Sequence, residues 1–218
     1  MSTRPATARS TAARPRRSAR TRRRKLVRRG LMLLGVVVFA ALVVSVVIAP
    51  RLDKAVQEIA LPLRHEDIIR QQASEKGLDP TLIAGVIYTE SRFRDQTSPV
   101  GAKGLMQILP STADDIAHKS GGTAFVQGDL ADPQINIAYG SFYLRYLLRH
   151  YGSNEVLAIA AYNAGEGKVD QWIFHARRRG EDFDHTRHIP FLETRNYVQR
   201  VLDARDRYRE QYPRELGV

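Results

Sequence analysis

The chain has no cysteine in 218 residues, which excludes disulfides, thiolate nucleophiles and Cys-built metal centres. No HExxH pattern occurs. The nearest histidine pairing, His185-x-x-His188, has no third ligand at a workable spacing, so it reads as solvated loop histidines and no metal is expected. Phosphate-loop and dinucleotide fingerprints are missing as well, and no cofactor is expected. No run alternates apolar and polar residues over the length of a strand. Acidic residues are absent from residues 1–30. That tail holds 12 of the 34 Arg and Lys and none of the 23 Asp and Glu, so the remainder carries 22 basic against 23 acidic residues. The formal net charge of +11 therefore belongs to the tail, and a nucleic-acid-binding domain is not expected.

What is present begins with that tail. Residues 1–30 are rich in Arg, Ser, Thr, Ala and Pro and have almost nothing to bury, so they read as a disordered basic segment. The apolar run LMLLGVVVFAALVVSVVIA follows at once, over residues 31–49, with no charge in 19 residues. At 1.5 Å per residue it can span a hydrocarbon core of about 30 Å. Basic flanks stay in the cytoplasm, which predicts a single-pass membrane anchor with the N-terminus inside and the rest outside. A cleaved signal peptide is the rival. Its apolar core would be shorter, about 7–15 residues, and Val47-Ile48-Ala49-Pro50 is a poor cleavage site. A nucleic-acid arm ranks below contact with anionic lipid, because the apolar run starts directly after the tail. Residues 50–64 read as a stalk.

The rest is organised around DPTLIAGVIYTESRFRDQTSPVGAKGLMQILP, residues 79–110. Asp79 can cap a helix and Pro80 can take its first turn. With about 100° per residue, Leu82, Val86, Ile83 and Ile87 lie at roughly 0°, 40°, 100° and 140°, and Glu90 falls at roughly 80°. The acid projects from the middle of an apolar stripe. Desolvation there raises a carboxyl pKa, and a Glu held at about 6–7 can give and take protons near neutrality. A Glu paired with a buried Arg or Lys, or exposed at a frayed helix end, fits the position equally well. Beyond it, Ser98 to Gly104 is turn-rich, and Gln107 is a lone amide in an apolar run. Glycines beside a buried acid let backbone approach a ligand closely.

Further helices are expected over residues 65–76, ended by Gly77, and over 112–119, ended by Gly121-Gly122. Others should run from Asp132-Pro133 to about residue 150, from Asn154 to Tyr162, over 169–176, and over 190–212. Residues 123–131 and 177–188 read as loops. The fold class is mainly α, with at most a small β element near residues 101–107. About 150 residues can bury an adequate core without disulfides.

Four blocks resemble one family in order. They are Glu90-Ser91-x-Phe93 running into Gly101-Ala102-Lys103-Gly104-Leu105-Met106-Gln107-Ile108-x-Pro110-x-Thr112-Ala113; Asp132-Pro133 with Asn136-Ile137 and Gly140; Ala161-Tyr162-Asn163-Ala164-Gly165; and Glu193-Thr194-Arg195-x-Tyr197-Val198. The pattern is similar to the soluble lytic transglycosylases, lysozyme-like enzymes that cleave bacterial peptidoglycan. It spreads over roughly 110 residues of one domain-sized segment. The resemblance implies a lysozyme-like catalytic domain over residues 65–212 and a glycan-cleaving lyase. It also implies peptidoglycan glycan strands as substrate, with cell-wall-synthesis or envelope-assembly proteins as the class of protein partner.

Glycoside cleavage needs a proton on the leaving oxygen and stabilisation of an oxocarbenium-like centre. Glu90 is the candidate acid. Asp95, Asp114 and Asp115 lie in polar surroundings, so the usual second carboxylate has no clear representative. The resembled family uses one Glu as acid and then as base, with the muramyl C6 hydroxyl attacking C1 of its own sugar. The product is a 1,6-anhydromuramyl end, and no water is consumed. Such an internal nucleophile has a large effective molarity. The resemblance further implies Ser98, Met106, Gln107, Tyr162, Asn163 and Glu193 as substrate-binding residues. Glu193 would lie beneath the cleft, bonded to Tyr162 or bracing the donors around Glu90. Tyr197 reads as core. The alternatives are a hydrolytic muramidase on the same fold and a non-catalytic peptidoglycan-binding module.

Overall fold

Two helices start at an Asp-Pro pair, and the caps follow from the chemistry of that pair. Asp79 Oδ1 accepts from the Thr81 backbone N–H at 2.8 Å and from its hydroxyl at 2.6 Å. Asp132 Oδ1 accepts from the N–H groups of Gln134 and Ile135 at 2.7 and 3.2 Å. Pro80 and Pro133 occupy the first turn, where a missing N–H costs nothing.

The computed structural model describes residues 59–121 and 126–218, together with residues 32, 39, 42 and 44–48. The chain divides into the units Met1–Val56 and Gln57–Val218. In the first, Val44–Ile48 forms a π-helical turn. The expected tail, most of the expected span and the first part of the stalk lie outside the described residues. Among the described residues, no helix is long and apolar enough to cross a membrane.

The second unit is helical. It comprises α1 (Glu66–Lys76), α2 (Pro80–Ser91), α3 (Pro110–Ser120), a 3₁₀ turn (Gln127–Ala131), α4 (Pro133–His150), α5 (Glu155–Ala164), α6 (Glu166–Arg178), α7 (His185–His188), α8 (Leu192–Gln211) and α9 (Pro213–Leu216). Among the described residues there are no strands. The small β element reduces to two isolated antiparallel bridges, Thr97 with Lys103 and Lys103 with Ile108. Gly77 and Gly121 end their helices in the left-handed conformation, at φ 60° and 76°.

α2 is the centre of the core. Its apolar surface is not a stripe, because every residue from Thr81 to Ile87 is buried. Gly85 makes this possible on one side: a Cβ there would stand 2.9 Å from the Val201 carbonyl, so α8 can cross at backbone distance. α8 buries Tyr197, Val198, Val201, Ala204 and Tyr208.

Four expectations need correction. Residues 59–64 are not a free stalk, because Leu61 is fully buried and Leu63 packs against the core. Tyrosine hydroxyls hold the same stretch: Tyr88 donates to Ala60 O at 3.0 Å, Tyr212 to Leu61 O at 2.9 Å, and Tyr208 to Pro62 O. The packed domain also runs past residue 212, since Leu216 is buried. The loop read over 177–188 contains α7, which Asp184 caps through the Thr186 N–H at 2.8 Å. Nor is His188 a solvated loop histidine. Its ring accepts from the Asp184 N–H at 2.8 Å and donates to Glu181 Oε2 at 2.6 Å.

Candidate active site

Glu90 is the penultimate residue of α2, one turn beyond the fully buried Val86 and Ile87. It is half-buried. Tyr197 reaches it from α8, its hydroxyl donating to Glu90 Oε1 at 2.6 Å. Burial pushes the Glu90 carboxyl up from its ordinary 4.5 to about 7, while the Tyr197 hydrogen bond and the charge of Arg200 pull the other way. No ion pair of the described residues includes Glu90.

The tyrosines beside the acid keep their protons. Burial and the neighbouring Glu90 charge push both Tyr162 and Tyr197 well above 10. Each therefore serves as an O–H donor, and Glu90 is left as the group that exchanges a proton near neutrality. No other carboxylate contributes to its shift. Asp95, Asp114 and Asp115 are exposed.

The loop after α2 is bound to α4 through one buried amide. Asn136 Nδ2 donates to Lys103 O at 3.0 Å and Leu130 O at 2.9 Å, and its Oδ1 accepts from Met106 N at 2.8 Å. Gly104, at φ 75°, lies so close that a Cβ would meet Asn136 Nδ2 at 2.1 Å. Lys103 and Ile108 exchange backbone hydrogen bonds of 2.9 and 3.0 Å across the turn.

The expected substrate residues fall into three groups. Tyr162 stands by Glu90 and donates to the Met106 carbonyl at 3.0 Å, which replaces the bond to Glu193 foreseen for it. Ser98 and Gln107 lie in the bound loop. The Ser98 hydroxyl accepts from Ala102 N at 3.0 Å. Gln107 Nε2 donates to Gln96 O at 3.0 Å and Gly104 O at 2.7 Å, which is how a lone amide in an apolar run satisfies itself. Asn163 and Glu193 are exposed on a groove of about 430 Å³, together with Lys168, Phe191 and Thr194. Asn163 Oδ1 accepts from the Thr194 hydroxyl at 2.9 Å. Met106 is a correction. Its side chain is fully buried against Gly140, where a Cβ would meet its sulfur at 2.3 Å, and it has no surface to offer a sugar.

Sequence reasoning passed over Tyr197 and Asn136 as site-builders. The available signal was general: a buried phenol and a buried amide both need hydrogen-bond partners. No metal-binding group of His, Asp and Glu occurs among the described residues.

Residues 67–184 match the transglycosylase SLT domain family. The chain is 37% identical over 155 residues to a soluble lytic murein transglycosylase of Escherichia coli, covering 69% of this chain and 24% of that protein. It is 32% identical over 167 residues to the membrane-bound lytic murein transglycosylase C of Glaesserella parasuis, covering 67% and 46% respectively. The crystal structure of the 70 kDa soluble lytic transglycosylase of Escherichia coli superposes with a TM-score of 0.65 at 35% identity, over 70% of this chain and 25% of that one. The chain thus spans about a quarter of the length of the soluble relatives. With more than half its residues matched by one family profile, and the same helical fold in a solved relative, the chain belongs to the transglycosylase SLT domain family.

Proposed function

We propose that the protein is a lytic transglycosylase of peptidoglycan, held at the membrane by residues 31–49 with its catalytic domain outside. The observation that carries this reading is the half-buried Glu90 carboxyl, raised to about 7 with no second carboxylate acting on it. A retaining or inverting hydrolase would place a partner acid across the bond. A single acid suits a substrate that brings its own nucleophile.

Glu90, protonated, gives its proton to the glycosidic oxygen between N-acetylmuramic acid and N-acetylglucosamine. The C–O bond breaks and the muramyl C1 takes on oxocarbenium character. The resulting Glu90 carboxylate then takes the C6 hydroxyl proton as that oxygen bonds C1. The acid is regenerated, and the product is a 1,6-anhydromuramyl end. Tyr197 steadies the carboxylate between the two steps through its hydrogen bond to Oε1. Ser98, Gln107, Tyr162, Asn163 and Glu193 are the remaining candidates for binding the glycan. The membrane reading rests on the uninterrupted apolar run behind the basic tail, and the membrane-bound relatives accord with it.

Digestion of purified sacculi followed by mass spectrometry of the muropeptides tests the reaction. An anhydro end one water lighter than a reducing end is expected. Reducing ends alone would make the protein a muramidase, and no cleavage would leave a binding module.

A further inference from the structure

Between α2 and α8 lies a second cavity, of about 400 Å³, lined by the exposed Arg92, Arg200 and Arg207 beside Tyr88. The guanidinium carbons of Arg92 and Arg207 stand 5.8 and 6.0 Å from the centroid of the same Tyr88 ring. That ring is fixed by its hydroxyl on Ala60 O at 3.0 Å. Arg92 is set by the left-handed turn that ends α2, at φ 52°.

The other arginines of α8 all have acceptors. Arg195 bonds Ile189 O, Arg205 pairs with Glu155 and Asp206, and Arg209 pairs with Asp79. Arg92, Arg200 and Arg207 take part in none of the ion pairs of the described residues. The acid of this cavity, Asp203, accepts from Gln199 Nε2 at 2.7 Å. Three positive charges therefore line the cavity beside one lining carboxylate, with Glu90 acting on Arg200 from outside the lining, and two of the three share an aromatic ring.

Like charges held together repel until an anion lies between them. A guanidinium fork matches the oxygens of a phosphate, and three forks exceed what the two oxygens of a carboxylate can use. We propose that the cavity walled by Tyr88, Arg92, Arg200 and Arg207 binds a phosphate group, either as a free anion or as the headgroup of an anionic phospholipid. The proposal stands whether or not Glu90 is catalytic, although Arg200, one wall of the cavity, also acts on the Glu90 charge.

The test uses the full chain in a neutral detergent. It is titrated with inorganic phosphate and, separately, with dihexanoylphosphatidylglycerol, while the Tyr88 ring and the Arg92 and Arg207 Nε–H groups are followed by NMR. Saturable shifts are expected with at least one probe. Shifts with both assign the phosphate group itself, with the lipid alone a headgroup, and with phosphate alone a free anion. In Arg92→Ala/Arg207→Ala the affinity read on Tyr88 should fall at least tenfold. Arg92→Lys/Arg207→Lys keeps the charge and loses the fork, so it should bind between the two, and it serves where the alanine pair does not fold. Arg200 is left intact because its charge acts on Glu90. No saturable shift with either probe, or unchanged affinity in a folded double variant, overturns the proposal and leaves the basic tail as the source of any binding.

Discussion

Tyr197 and Glu90, 107 residues apart, share a 2.6 Å hydrogen bond in which the phenol donates to Oε1. That bond favours the carboxylate and so opposes the burial that holds the proton. Tyr197→Phe removes the donor and keeps the ring. A hydrogen bond to a charged group is worth about 1.5–3 kcal/mol, so the Glu90 carboxyl should rise by about one unit or more. An acid that titrates later stays protonated longer. The alkaline limb of the pH–rate profile should therefore move up by about one unit, while the rate on the plateau below it falls about tenfold, because the carboxylate formed on proton donation loses the hydrogen bond that steadies it. A role in packing alone would lower the melting temperature and leave the limb in place.

Glu90→Gln keeps the shape and removes the exchangeable proton. Cleavage of sacculi should fall by about 10²–10⁴-fold or vanish, with the fold retained by circular dichroism. Stability offers a second readout. The folded carboxyl titrates at about 7 and the unfolded one near 4.5, so the folded state binds more protons in between. The stabilising contribution is complete below pH 4.5 and is lost as pH rises through 7. Allowing for the half-exposed side chain, about 1–2 kcal/mol should disappear across that window. Melting temperature against pH should show this decline in the wild-type protein, and the Gln variant should lack it.

Features that depend on neighbours in the chain were legible from the sequence. Asp79, Asp132 and Asn154 cap their helices, and Gly77 and Gly121 end theirs, because each acts within one turn. Glu90 was legible because an acid among apolar residues is a local conflict. What depends on distant partners was not. Tyr197 looked like one more core residue of α8, since nothing near it in sequence shows where its hydroxyl ends. Residues 59–64 looked like a stalk because tyrosines 28 to 151 residues away hold them. His188 looked solvated because its loop is polar, yet the fold turns that loop's own Glu181 onto the ring.

Asn136 should matter more than its distance from the acid suggests. It is fully buried, and its three hydrogen bonds tie the loop bearing Gly104 and Met106 to α4. Asn136→Ala leaves the Leu130 carbonyl and the Met106 N–H without these partners, each costing about 1–3 kcal/mol, while the Lys103 carbonyl keeps its bond from Ile108 N. A loss of about 3–5 kcal/mol of stability is expected. The Met106 carbonyl also holds the Tyr162 hydroxyl, so loosening this loop releases a residue beside Glu90. Hydrogen exchange should show Met106 and Ile108 amides losing protection before those of α2 do. Equal loss of protection throughout the domain would mean that Asn136 supports the fold globally rather than the loop.

Leu61 tests where the domain begins. Its side chain is fully buried, and its carbonyl accepts from Tyr212 at 2.9 Å. Leu61→Ala in the full chain should cost about 3–5 kcal/mol, as truncation of a buried leucine does. For a domain of this size that corresponds to a melting point lower by about 10 °C. Leu63 only borders the core, so Leu63→Ala should cost clearly less. A stalk leading to an independent domain would tolerate both changes without effect. A large and unequal response would instead make residues 59–64 the first layer of the core. The tether between any membrane anchor and the packed domain would then end near residue 58, some six residues shorter than the sequence suggested, which reduces its extended reach by about 20 Å.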